Sequence, residues 1–140
     1  MTRARNLLST AVALLATIYA ATFAVAVVLH LGVDIPLGFA VPDEPRRPFA
    51  VIAEGLAAFV LAVGAFALFA RKTWAWATVT GAHALALAGV VWGMVAVTAG
   101  RGPHTQLNHT YHRVIVVLLA ANLILLLTPL GRTSLGRERR

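Results

Sequence analysis

The sequence predicts an all-α protein, a transmembrane four-helix bundle running up-down-up-down, and three observations carry that prediction. Four stretches are apolar over lengths close to the ~20 residues that a helix needs to cross a bilayer. The chain of 140 residues is 59% hydrophobic and only 12% charged, against about 25% charged in a soluble domain. The positive residues cluster at the ends of the apolar stretches and in the loops between them, where membrane topology needs them. One domain, residues 1–140, follows from the length.

The first span is read at residues 7–31. Arg3 and Arg5 before it resemble the charged start of a signal peptide. The apolar run, however, exceeds the roughly 7–15 residues of a signal core, so a retained span is expected. The second span is read at 50–70 and the third at 74–99, joined by a tight Arg71-Lys72 turn. The fourth, at 114–130, is the shortest and invites an extra turn from the polar stretch before it. Between the first two spans, Pro36, Pro42, Pro45 and Pro48 block a regular helix. That loop is expected to be an extended cap, either a lid over a pocket or an interfacial loop with no pocket beneath it.

Orientation follows from the basic residues. Arg3, Arg5, Arg71, Lys72, Arg132, Arg137, Arg139 and Arg140 fall on one side, and Arg46, Arg47, Arg101 and Arg113 on the other. The richer side is expected inside, which puts both termini in the cytoplasm and the protein in the cell membrane. The net charge of +7 is therefore a topology signal, and nucleic acid is not an expected partner. With no cysteine, disulfides, thiolate metal sites and cysteine nucleophiles are excluded.

Helices in lipid associate through small residues that let backbones approach. Ala82, Ala86, Gly89 and Gly93 fall on one face of the third span, and Gly89 and Gly93 form a GxxxG pair. The pair is expected to support close approach within the bundle or a homo-oligomer. The second span offers Ala57, Ala58, Ala62 and Ala65 for similar contacts.

Ionisable groups inside a bilayer are costly and draw functional attention. His83 lies near the middle of the third span, roughly 14 Å from its inner end. It reads either as a neutral imidazole bonded across helices or as a ligand or proton-handling group. Glu54 lies roughly 6 Å below the outer end of the second span. It reads as a structural ion-pair partner of Arg46 or Arg47, or as a site carboxylate. Tyr19, Thr22, Ala26 and His30 follow helical spacing on the first span, and Asp34 could orient His30 if the helix continues through Gly32.

The densest polar stretch runs from residue 100 to 113, with Pro103 and the potential N-cap Thr105 at its helix start. His104, Asn108 and His112 stand at four-residue steps; Asn108, Tyr111 and His112 share a face that continues through Ile115 and Leu118 to Asn122. His109 and His112 have a spacing compatible with metal, but HExxH is missing and no second ligand cluster exists, so interfacial anchoring or loop docking is preferred, no metal ligand is assigned, and an outer metal site stays open. Asn108-His109-Thr110 is formally a glycosylation sequon, meaningful only in a eukaryotic secretory context.

The segments Val41-Pro-Asp-Glu-Pro-Arg-Arg-Pro, Ile52-Ala-Glu-Gly-Leu and Gly100-Arg-Gly-Pro through Tyr111-His-Arg113 resemble those of small, uncharacterised bacterial four-span membrane proteins. In architecture alone the chain also resembles the DoxX-like group. The resemblance implies a four-helix membrane fold and brings no activity.

The expected function is a polar pocket at the outer end of the bundle, binding or acting on a small lipophilic molecule. Glu54 and His112 are its candidate catalytic pair. His30, Asn108 and Tyr111 are candidate ligand-binding residues, with His83 as the floor. No enzyme motif is complete and no cofactor is legible, so catalysis stays open. The alternative is a structural or accessory subunit whose polar residues hold helices together. A mid-membrane haem lacks a second histidine at the depth of His83, and proton conduction lacks a relay in the inner half.

Overall fold

The computed structural model describes residues 2–35, 44–101 and 105–135. All regular structure among them is helical: α1 (Thr2–His30), α2 (Pro48–Phe69), α3 (Ala75–Thr98), α4 (Gln106–Leu127) and α5 (Pro129–Leu135). The first four are long and apolar enough to cross a membrane, and the chain is a multi-pass membrane protein in its architecture. Phe59, Phe66, Trp92, Val117 and Ile124 face outward. On a water-soluble protein so much exposed apolar surface would drive association; in a bilayer it is solvated by lipid.

Local chemistry sets the helix ends. α1 stops at His30, and Gly32 follows with φ +82°, a left-handed conformation that costs glycine little. α2 opens with proline in its first turn, where a missing N–H leaves no bond unmade. After α2, Arg71 adopts φ +51° and Lys72 N–H reaches back to the Ala67 carbonyl at 2.9 Å. Gly100 closes α3 in the same way, with Arg101 N–H bonded to the Ala96 carbonyl.

α4 corrects the sequence reading at both ends. It starts at Gln106 rather than 114, because Thr105 caps it by accepting from Asn108 N–H at 3.1 Å. Residues 106–113 of the polar stretch are thus the first two turns of the helix, in keeping with the helix start read at Thr105. It stops at Leu127, since Pro129 cannot continue the ladder. A separate short helix, α5, follows in its place. Thr128 joins the two by donating to the Leu125 carbonyl at 2.7 Å and accepting from Gly131 N–H at 3.1 Å.

Two buried clusters form the core. One joins Val12 and Ala16, near the start of α1, to Leu68 at the end of α2, Val79 near the start of α3, Leu126 at the end of α4, and Leu135. The other joins Tyr19, Phe23, Leu61, Ala86, Ile115 and Leu119 across the bundle's middle. That grouping of ends belongs to helices that run alternately up and down. Each of the four long helices packs along its neighbour in sequence, but α1 and α4 hardly meet along their backbones. α5 touches α1, α3 and α4 and bridges this seam at one end.

Among the glycines of the long helices, the closest approach to a neighbouring backbone is not made by the GxxxG motif. A Cβ at Gly64 would lie 3.1 Å from the Val79 backbone, whereas one at Gly89 or Gly93 would meet nothing within 4 Å. α2 and α3 therefore touch closely near their shared turn and separate toward the other end. At the α5 end, Trp76 Nε1–H donates to the Leu126 carbonyl at 2.9 Å, and the Arg132 guanidinium lies 5.5 Å from the Trp76 ring. Of the proline-rich loop, residues 36–43 lie outside the described residues, as do His104 and Arg137, Arg139 and Arg140.

Candidate functional site

Glu54 sits in the second turn of α2, facing the ends of two other helices. Its Oε1 lies 3.6 Å from His30 Nε2, at the end of α1, and 3.9 Å from His112 Nε2, in the second turn of α4. The carboxylate is only 6% exposed. Three helices thus contribute one ionisable side chain each to a buried point, and residues far apart in sequence meet there. Arg47 N–H donates to the His30 carbonyl at 3.1 Å, which ties the start of α2 to the end of α1.

The carboxylate's neighbours are not the loop arginines of the ion-pair reading. Imidazoles, not Arg46 or Arg47, lie within ion-pair distance of Glu54. Arg46 is exposed, and Arg47 Nη2 lies 3.9 Å from Glu44 Oε2. Asp34 is exposed beyond the end of α1, so the helical continuation that would bring it to His30 does not form.

Glu44 is a site residue that the sequence reading did not single out. It is buried and accepts a hydrogen bond from the Thr105 hydroxyl. Since Thr105 also caps α4, one side chain fastens the segment before α2 to the start of α4. The one available signal was an acidic residue inside a proline-rich run, which reads as an ordinary solvated loop charge.

These groups line cavities. The largest has a volume of about 450 Å³ and lies at the α1–α4 seam. Its walls are Ile18, Ala21, Thr22, Val25, Ala26 and Leu29 from α1, with Leu107 and Tyr111 from α4; its polar end is His30, Glu44, Glu54 and Asn108. A second cavity, about 80 Å³, lies where α2 and α3 separate, among Ala53, Ala57, Ala86, Gly89 and Gly93. His30 and Glu54 line both, so this pair forms a wall between them. His112 lines the second, and also a small recess with His109 and Asn108.

His83 is placed elsewhere. It is fully buried, its Nδ1–H donates to the Val79 carbonyl at 2.8 Å, and its ring meets Tyr19 edge-on at 5.8 Å between centroids. It lines none of these cavities and does not form their floor. Tyr19 accepts in turn from Asn122 Nδ2 at 2.5 Å. This layer joins α1, α3 and α4 in the bundle's interior, and Asn122 finds the interhelical partner that a mid-span amide requires.

Chemically, the cluster offers a carboxylate with imidazoles on two sides and unfilled hydrogen-bonding capacity. Glu54 Oε2, His30 Nδ1 and the Tyr111 hydroxyl have no hydrogen-bond partner among the described residues. Tyr111 is held by ring contacts, edge-on to Phe23 at 6.4 Å and tilted against His112 at 5.3 Å. Among the described residues, no group of three or more His, Asp or Glu side chains, this cluster included, has the geometry to hold a metal ion. The sequon asparagine, Asn108, is buried. No protein-family model, curated protein or solved structure matches the chain.

Proposed function

We propose that this protein binds a small lipophilic molecule, admitted from the membrane through the α1–α4 seam, with its polar end at Glu54. One observation carries the reading: an apolar cavity of about 450 Å³ terminates at a buried carboxylate. Small-molecule pockets commonly measure about 300–1,000 Å³ and combine apolar walls with a few convergent polar groups. The excess of Lys and Arg at the opposite end supports placing the polar end in the outer half of the bilayer. Entry through the seam is helped by the sparse backbone contact between α1 and α4, which meet there through side chains such as Phe23 and Tyr111.

Glu54 with His30 and His112 also has the groups for acid–base chemistry on a bound molecule, but binding is the reading adopted here. The scaffold alternative has its own support for the inner polar residues. Tyr19, Asn122 and Trp76 spend their polar atoms on interhelical hydrogen bonds, whereas Glu54 and Tyr111 leave theirs unmade.

Native mass spectrometry of the protein released from nanodiscs tests the division. Wild type is expected to retain a stoichiometric small molecule, Glu54→Gln to lose it, and His83→Leu to keep it. Retention in Glu54→Gln would refute the polar end at Glu54, and a bare chain in every preparation would refute the pocket.

A further inference from the structure

A pocket that ends in buried carboxylates selects its ligand by charge. Among the described residues, the polar end of the large cavity holds two acidic side chains, Glu44 and Glu54, and no lysine or arginine. Glu44 accepts from the Thr105 hydroxyl on Oε1, and its Oε2, though without a hydrogen bond, lies 3.9 Å from the Arg47 guanidinium as a countercharge. Glu54 is engaged on one oxygen only. Its Oε1 faces the two imidazoles, while Oε2 has no hydrogen-bond partner, and the Tyr111 hydroxyl on the same cavity has none either. A buried polar atom without a partner is costly, and a ligand that supplies one recovers that cost.

Resting on the pocket reading above, we propose that the ligand is a cationic amphiphile: a primary ammonium head on a compact apolar body. An ammonium carries three N–H donors and a charge opposite to the carboxylate, so it matches the acceptors that Glu54 and Tyr111 bring to the same cavity. A fatty acid or phosphate-headed lipid would set its negative charge against Glu44 and Glu54. A ketone or ester head offers acceptors where Oε2 needs a donor. An alcohol gives a single donor and brings no opposite charge. The body lies along Ile18, Val25 and Leu29 of α1, a wall without charge.

The test uses four probes with one twelve-carbon chain and different heads: dodecylamine, dodecyltrimethylammonium, dodecanol and dodecanoate. Each is titrated against the protein in nanodiscs of zwitterionic lipid, with empty nanodiscs subtracting partition. Binding is read by native mass spectrometry and by thermal shift. Dodecylamine is expected to bind tightest, about tenfold or more above dodecanol, with dodecyltrimethylammonium between them for want of N–H donors and dodecanoate weakest. Glu54→Gln should remove the amine's advantage while dodecanol still binds, and Glu54→Asp should keep part of it. Ala21→Trp, on the exposed rim of the cavity, should weaken every probe and serves as a second variant should Glu54→Gln fail to fold. Dodecanol or dodecanoate binding as well as the amine would overturn the charge selection and leave the pocket standing. An amine advantage that survives Glu54→Gln would overturn the assignment of the head to Glu54. No binding by any probe to folded wild type would overturn the pocket itself.

Discussion

At the scale of single residues, the polar groups of this bundle divide by whether their hydrogen bonds are made. Asn122 and Tyr19 bond to each other across α4 and α1, and Asn122 also donates to the Leu118 carbonyl at 3.0 Å. Such a pair stabilises a membrane bundle modestly, since the separated helices find other partners. Tyr19→Phe is therefore expected to cost about 0.6 kcal/mol, and no more than about 1.7 kcal/mol. Asn122→Leu should cost a similar amount, and the double variant less than the sum of the two. Thermal melts of the four proteins in one detergent measure that coupling, and strict additivity would show that the bond contributes nothing. The positions of Glu54, His30, Asn108, Tyr111 and His112 near one end of the bundle followed from residue spacing alone, because helical rise fixes depth. Which of them touch did not follow. The approach of His30 and His112 to Glu54 depends on helix rotation and on where α1 stops, and neither is written in a local pattern.

At the scale of helices, the cap of α4 was legible and close approach was not. Thr105 acts locally, through its own hydroxyl, whereas the span read at 114–130 ran past Pro129, where α4 has already stopped. The short α5 after it also went unforeseen, because seven residues carry too little periodicity to announce a helix. The GxxxG pair on α3 drew attention by its spacing, whereas the glycine that admits a neighbouring backbone is Gly64 on α2. A methyl group there would press on Val79 Cα at 3.1 Å, and the backbone cannot yield like a side-chain tip. Gly64→Ala is expected to destabilise by about 1–3 kcal/mol, as overpacking does. Gly89→Ala with Gly93→Ala should leave the monomer's melting temperature unchanged or slightly raised, since alanine is the better helix former. Light scattering on the same samples reads the oligomer. A smaller particle from the double variant alone would assign those glycines to contacts between copies, while a lowered melt with unchanged mass would contradict their open surroundings.

At the scale of the whole molecule, the fold class was readable because lipid imposes few solutions: apolar runs of this length must be helices, and helices joined by short connections lie side by side. The open seam was not readable, since no sequence pattern tells α4 to leave α1 uncovered. The seam's position relative to the two leaflets depends on orientation, which rests on the distribution of arginine and lysine. Thr73, in the α2–α3 turn, and Arg101, after α3, are exposed at opposite ends. The chain has no cysteine of its own, so Thr73→Cys and Arg101→Cys each report one site. With a membrane-impermeant maleimide on intact cells, Arg101→Cys is expected to react and Thr73→Cys to react only after permeabilisation. The reverse pattern would put Glu54 and the polar end of the cavity on the cytoplasmic side. A ligand would then enter from the inner leaflet, where anionic lipids raise the local concentration of cationic amphiphiles, and the direction of entry through the seam would change although its chemistry would not.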